Sequence, residues 1–167
     1  ELKKFGKSFA RKHNQITVMF ADIIGFTTIA ENMMPDELVA QLDDTFRGFD
    51  HIIEKYGMEK IKTIGDCYMC ACGLPADVEN NAVIAVNAAM DMQEFTRGLG
   101  IRKFVYDIWG DTVNLASKME RQSETGKINI SGDTYELVKN HFNCTYRGKV
   151  AAKNKGEIDM YFVDSKK

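Results

Sequence analysis

The sequence predicts an α+β sandwich, and three features carry that prediction. Short apolar runs rich in β-branched residues alternate with segments whose apolar residues recur at three- and four-residue steps. Gly65-Asp66 joins two of those runs into a tight hairpin, and a second hairpin closes the chain. At 167 residues there is enough chain for one domain with a substantial core.

In chain order, residues 1–14 carry Lys3, Lys4, Lys7, Arg11 and Lys12 among scattered Leu2, Phe5 and Phe9. They read as an N-terminal linker end, a solvated basic arm, with the domain running over residues 15–167. Ile16-Thr17-Val18-Met19-Phe20 is the first strand. Pro35-Asp36-Glu37 opens a helix, with proline and acids where a first turn favours them. Val39, Leu42, Phe46, Phe49 and Ile53 give that helix one apolar face, and Gly57 ends it. The hairpin strands come next, the second being Tyr68-Met69-Cys70-Ala71-Cys72, before Leu74-Pro75 breaks the pattern. Asn80 to Phe95 is a helix with a stripe of Val83, Val86, Asn87, Met90 and Phe95. Gly126 to Ile130 is a strand, and Ser131 caps a helix from Gly132 to His141 with Tyr135 and Val138 inward. Asn143–Arg147 and Ile158–Val163 are the closing strands, flanking the Lys153-Asn154-Lys155-Gly156 loop.

Bulk properties narrow the function. A net charge of -2 with 28% charged residues gives no electrostatic case for nucleic acid as a partner. The apolar runs fall short of a membrane span, and no signal peptide opens the chain. Cys67, Cys70, Cys72 and Cys144 lack the paired spacing of a metal site and read as reduced, mostly buried thiols.

Three stretches carry chemistry. In Phe20-Ala21-Asp22-Ile23-Ile24-Gly25-Phe26-Thr27-Thr28 a carboxylate ends a buried strand and a glycine turn follows. The carboxylate can hold a cation while free turn amides cradle phosphate oxygens, although turn chemistry alone explains such an Asp equally well. Glu59-Lys60-Ile61-Lys62-Thr63-Ile64-Gly65-Asp66-Cys67-Tyr68-Met69 supplies a second Asp at a strand junction. Two such carboxylates on neighbouring strands suit a pair of Mg²⁺ ions over a triphosphate. The third stretch, Tyr106-Asp107-Ile108-Trp109-Gly110-Asp111-Thr112-Val113-Asn114-Leu115-Ala116-Ser117-Lys118-Met119-Glu120, runs from a short strand into a helix.

Together, and with the tail Tyr146-Arg147-Gly148-Lys149 and Lys153-Asn154-Lys155-Gly156, these stretches resemble the catalytic domain of class III nucleotidyl cyclases from about Ile16 to Val163. The resemblance implies a ferredoxin-like sandwich, active as a head-to-tail dimer with each site at the interface. It makes Asp22 and Asp66 ligands of two Mg²⁺ (or Mn²⁺) ions, with the Ile23 carbonyl a further ligand. Gly25, Phe26 and Thr27 then offer amides to the β- and γ-phosphates. Lys62 and Asp107, with Ile108 beside it, fall at the purine-reading positions. A lysine donates to adenine N1 and a carboxylate accepts from N6, whereas guanine presents the reverse edge. The family's guanylyl members carry Glu and Cys there, so this pair favours ATP. Asn114 falls where the ribose is oriented, and Lys118 where the family usually has a transition-state arginine. Lysine keeps the charge and loses the planar fork. Of Lys153 and Lys155, Lys155 is the expected triphosphate contact.

The expectation is therefore an adenylyl cyclase making 3′,5′-cyclic AMP and pyrophosphate as a homodimer, because one chain holds both residue sets. A guanylyl cyclase and a non-catalytic nucleotide-sensing domain are the alternatives. A cytoplasmic placement, with regulatory or membrane segments upstream in the parent chain, completes the reading. One irregularity stands out. Between Thr96 and Lys103 the family has a further core strand and a glycine-rich hairpin, with a pattern like Arg-x-Gly-x-His-x-Gly, and this chain has neither. Losing a central strand strands its neighbours' backbone groups. The expectation is an interruption of the chain here, seen as consecutive Cα atoms well beyond ~3.8 Å, with a genuine deletion as the other reading.

Overall fold

The computed structural model describes residues 13, 15–23, 31–99, 104–109, 122–152 and 156–167, with 104–109 described by the backbone alone. In chain order the elements are β1 (Thr17–Ile23), α1 (Pro35–Lys55), β2 (Glu59–Ile64), β3 (Cys67–Cys72), α2 (Asn81–Gly98), β4 (Phe104–Trp109), β5 (Ile128–Ser131), α3 (Gly132–Val138), β6 (Phe142–Ala152) and β7 (Gly156–Lys166). The strands form one sheet in the order β2-β3-β1-β4-β5-β7-β6. Neighbours are antiparallel except β4 and β5, which run parallel.

Strand alternation divides this sheet into two faces. Met19, Ala21, Ile23, Tyr68, Cys70 and Cys72 enter the main core with α1, α2 and α3. Val18, Phe20, Cys67, Met69 and Ala71 belong to a second cluster with Met160, to which no helix contributes among the described residues. Among the described residues, that second face is free of helices.

The helices depart from their expected faces in instructive ways. α1 starts at Pro35 with Asp36 and Glu37 in its first turn, and Gly57 beyond its end takes φ 64. It buries Thr45, Phe49 and Ile53, with Leu42 and Phe46 packed alongside, while Val39 is 64% exposed. Its first two turns thus stand clear of the core, and the apolar stripe starts later than its sequence spacing suggests. α2 buries Ala82, Ala85, Ala88 and Ala89 with Val86 and Met92, whereas Val83, Met90 and Phe95 are only partly buried. Small side chains let this central helix lie close to both sheet and α1, so its alanines make the face. α3 is capped as expected, with the Thr134 N–H donating to Ser131 Oγ at 3.1 Å, but ends at Val138 instead of His141.

β4 occupies the place beside the strand bearing Asp22. It pairs with β1 from Val18↔Trp109 to Ile23↔Phe104 and with β5 from Tyr106↔Ile128 to Ile108↔Ile130. The ladder groups of β1 are therefore met on both sides. Of the stretch between Thr96 and Lys103 where an interruption is expected, Thr96 to Leu99 continue and cap α2, and residues 100–103 lie outside the described residues. β6 and β7 run longer than expected, at 11 residues each. Cys67, Cys70 and Cys72 are buried free thiols and Cys144 is half-buried. Burial pushes the Cys70 thiol far up, so it stays protonated and inert. No helix among the described residues is long and apolar enough to cross a membrane.

Candidate active site

Asp22 is the half-buried residue in an otherwise buried β1. Alternation puts it on the side of Val18 and Phe20, at the end of the strand on the helix-free face. Asp66 follows Gly65 in the two-residue turn between β2 and β3, where Gly65 takes φ 62. The β1–β3 ladder reaches Ala21↔Tyr68. Continuing that register by one residue sets Asp22 opposite Cys67, the neighbour of Asp66. Standard strand geometry then leaves the two aspartate backbones about 6 Å apart. Ile23 comes next, opposite Asp66. The fold thus brings Asp22, Ile23 and Asp66 together at one end of the central strands.

Two carboxylates and a nearby backbone carbonyl make a hard oxygen donor set, which suits Mg²⁺ or Mn²⁺ and not a thiophilic ion. Cys67 adjoins Asp66 but is buried in the apolar cluster on this face. The donor chemistry therefore fits the implied metals.

Lys62 is exposed on β2, opposite Met69. Met69 pairs with Phe20, Phe20 with Asp107, Asp107 with Asn129, and Asn129 with Phe162. Lys62 and Asp107 thus occupy one cross-sheet row. Two strands lie between them, so their backbones are about 14 Å apart at ordinary strand spacing. Ile108 pairs with Met19 and Ile130. Gly25, Phe26, Thr27, Asn114, Lys118 and Lys155 lie outside the described residues.

Sequence reasoning missed what fixes β2. Asp50 of α1 accepts a hydrogen bond from the Tyr68 hydroxyl at 2.6 Å and from Lys60 Nζ at 2.9 Å. Burial, and then the Asp50 carboxylate, pushes the Tyr68 phenol far up, so it remains a donor across the physiological range. Asp50 sits between Phe49 and Ile53, and its polarity inside an apolar stripe was the available signal.

Comparison with known proteins places this geometry. The family model described as "Adenylate and Guanylate cyclase catalytic domain" matches residues 9–99 and 95–165. An adenylate cyclase of Mycobacterium bovis is 32% identical over 182 residues, covering 95% of this chain and 41% of that protein. A receptor-type guanylate cyclase of Caenorhabditis elegans is 32% identical over 191 residues, covering 96% of this chain and 18% of that protein. Among solved structures, the guanylate cyclase domain of a Catenaria anguillulae protein in complex with GTP superposes with a TM-score of 0.85. It is 29% identical and covers 95% of this chain and 100% of that one. The family match divides around residues 95–99, and the aligned stretches of 182 and 191 residues exceed the 167 of this chain. These relatives therefore carry residues that this chain lacks.

Proposed function

This chain belongs to the adenylate and guanylate cyclase catalytic domain family, the class III nucleotidyl cyclases, and from that premise we propose that it converts ATP to 3′,5′-cyclic AMP and pyrophosphate. The observation that carries the proposal is the β1–β3 register, which ends at Ala21↔Tyr68 and so sets Asp22 and Ile23 beside the turn that holds Asp66. In the reaction the ribose 3′-oxygen bonds to the α-phosphorus, the bond to the β-phosphate oxygen breaks, and the hydroxyl proton is lost to solvent. Asp22 and Asp66, with the Ile23 carbonyl, would hold two Mg²⁺ or Mn²⁺ ions, which would supply charge neutralisation at the phosphates and a lower pKa for the 3′-hydroxyl.

The remaining roles belong to the chain's own groups. Gly25, Phe26 and Thr27 offer backbone amides to the β- and γ-phosphates, and Lys155 adds a cation. Asn114 orients the ribose, and Lys118 places positive charge on the crowded phosphorus, without arginine's planar bidentate fork. Lys62 donates to adenine N1 and Asp107 accepts from N6. The preference for ATP over GTP is supported by these two side-chain types and by their shared cross-sheet row. Their separation within that row requires the long Lys62 side chain to reach inward.

A head-to-tail homodimer completes each site, one chain giving Asp22 and Asp66 and the other Lys62, Asp107 and Asn114. The exposed outer strand β2, with Ile61 at 42% and Ile64 at 52% exposure, supports such an interface. The chain spans 41% and 18% of the two relatives' lengths, which supports a parent with regulatory or membrane segments upstream and this domain in the cytoplasm. The test is turnover of purified protein with ATP and with GTP, each with Mg²⁺ and with Mn²⁺, products separated by chromatography. Cyclic AMP as the main product is expected. Preferential cyclic GMP would make it a guanylyl cyclase, and nucleotide binding with no product a sensing domain.

A further inference from the structure

β2 contains a register shift between Lys60 and Lys62. In a regular strand, residues two apart share a face. Here Lys60 pairs with Cys70, a member of the helix-side core, while Lys62 pairs with Met69, a member of the opposite cluster. The bulge at Ile61 therefore turns the two lysines to opposite faces, and it is what presents Lys62 to the helix-free face.

Among the described residues, little else holds that bulge. β2 is the sheet's outer strand, all six of its residues are exposed, and β3 is its strand neighbour. A one-residue slip would turn Lys62 over. The opposing restraint is Asp50. Lys60 Nζ lies 2.8 Å from one oxygen of the Asp50 carboxylate and 2.9 Å from the other. The same ammonium stands 5.0 Å above the centre of the Tyr68 ring, whose hydroxyl also donates to Asp50. Tyr68 is fully buried and wedged against Phe46 and Phe49 of α1, at ring separations of 5.5 and 5.4 Å. Lys60 is thereby tied to the rigid core immediately before the bulge.

We propose that Asp50 is a positioning residue for base selectivity: by clasping Lys60 against Tyr68 it locks the β2 bulge that aims Lys62 at the purine. The proposal rests on the reading of Lys62 as a purine contact. An exposed ion pair contributes little stability by itself. Its consequence here is geometric, because it chooses between two registers of an exposed strand.

The test compares Asp50→Asn, Lys60→Met and the exchanged pair Asp50→Lys/Lys60→Asp with wild type. The readouts are kcat and KM for ATP and GTP, and amide hydrogen exchange across β2. Lys60→Met leaves the Asp50–Tyr68 bond intact, so it serves if Asp50→Asn disturbs folding. Both single variants are expected to lower the ATP:GTP ratio of kcat/KM about tenfold, the scale of one lost base contact. The loss should fall mainly on the KM for ATP, and the amides from Lys60 to Thr63 should exchange faster. The exchanged pair should recover part of the ratio. An equal fall for both nucleotides, or an unchanged ratio, would overturn the proposal. Lys62→Glu, measured in parallel, separates the two levels. If it shifts the ratio while Asp50→Asn and Lys60→Met do not, the clasp alone is wrong. If Lys62→Glu has no effect on the ratio, the purine assignment of Lys62 fails and the clasp proposal falls with it.

Discussion

Asp22 is half-buried in a strand that otherwise belongs to the interior, and Asp66 lies in the two-residue turn that leads into the neighbouring strand β3. Neither carboxylate belongs to either apolar cluster. Asp22→Ala and Asp66→Ala are accordingly expected to abolish turnover while circular dichroism and melting temperature stay near wild type. Full activity in either variant would remove the metal assignment. For base choice, Lys62→Glu combined with Asp107→Cys inverts the hydrogen-bonding edge and is expected to move the kcat/KM ratio toward GTP. A good base contact is worth about 1–3 kcal/mol, so an unmoved ratio would mean that these side chains do not read the purine. The positions of both aspartates were legible, Asp66 in the Gly65-Asp66 turn and Asp22 one residue before the end of β1, because each signal is confined to neighbouring residues. The face presented by Lys62 was not, because a bulge is set by the partner strand and by a distant carboxylate on α1.

At the level of elements, α1 and α2 cross where Gly48 leaves room for Phe95. A Cβ on Gly48 would lie 2.1 Å from the tip of that ring, which itself packs edge-on to Phe49 at 6.2 Å. Overpacking of this kind costs about 1–3 kcal/mol, offset by roughly 1 kcal/mol of helix preference for alanine, so Gly48→Ala should lose about 1 kcal/mol in urea unfolding. In a Phe95→Leu background the loss should shrink; a stability gain in the wild-type background would contradict the crossing. Farther along, Asp91 of α2 accepts from Lys55 Nζ at 2.8 Å and from the Tyr56 hydroxyl at 2.9 Å. Burial alone would raise the Asp91 carboxyl, but those hydrogen bonds and the Lys55 charge together hold it below the usual carboxylate range. A carboxyl that titrates lower when folded contributes fully above the ordinary value of about 4 and loses that contribution as pH falls through its folded value. Unfolding between about pH 5 and pH 2, the carboxylate window, should show a steeper acid loss for wild type than for Asp91→Asn. Parallel acid limbs would show that this clasp contributes nothing. Helix existence and order were readable from periodicity, whereas helix faces were not: alanine carries no strong apolar signal, yet four alanines line the buried side of α2.

Across the whole molecule, the seven-stranded order was not readable from sequence. Pairing of β4 with β1 joins residues far apart in the chain, and local spacing says nothing about which strand fills the place beside β1. That place is filled here by the strand bearing Asp107, in a chain shorter than the aligned stretches of its relatives. The sheet is thus continuous on both sides of β1. Among the described residues the helices lie on one face, and the proposed site and dimer contact use the other. A catalytic site shared between two chains makes a demand that no single-chain site makes. Asp22→Ala lacks one residue set and Asn114→Ala the other, so each homodimer should be inactive with ATP. Mixing them should regenerate cyclic AMP synthesis, because half of randomly paired dimers carry one intact site of two, giving about a quarter of wild-type turnover. Cyclic AMP appearing only in the mixture is the predicted result. No product from the mixture, with subunit exchange demonstrated by an independent label, would contradict it.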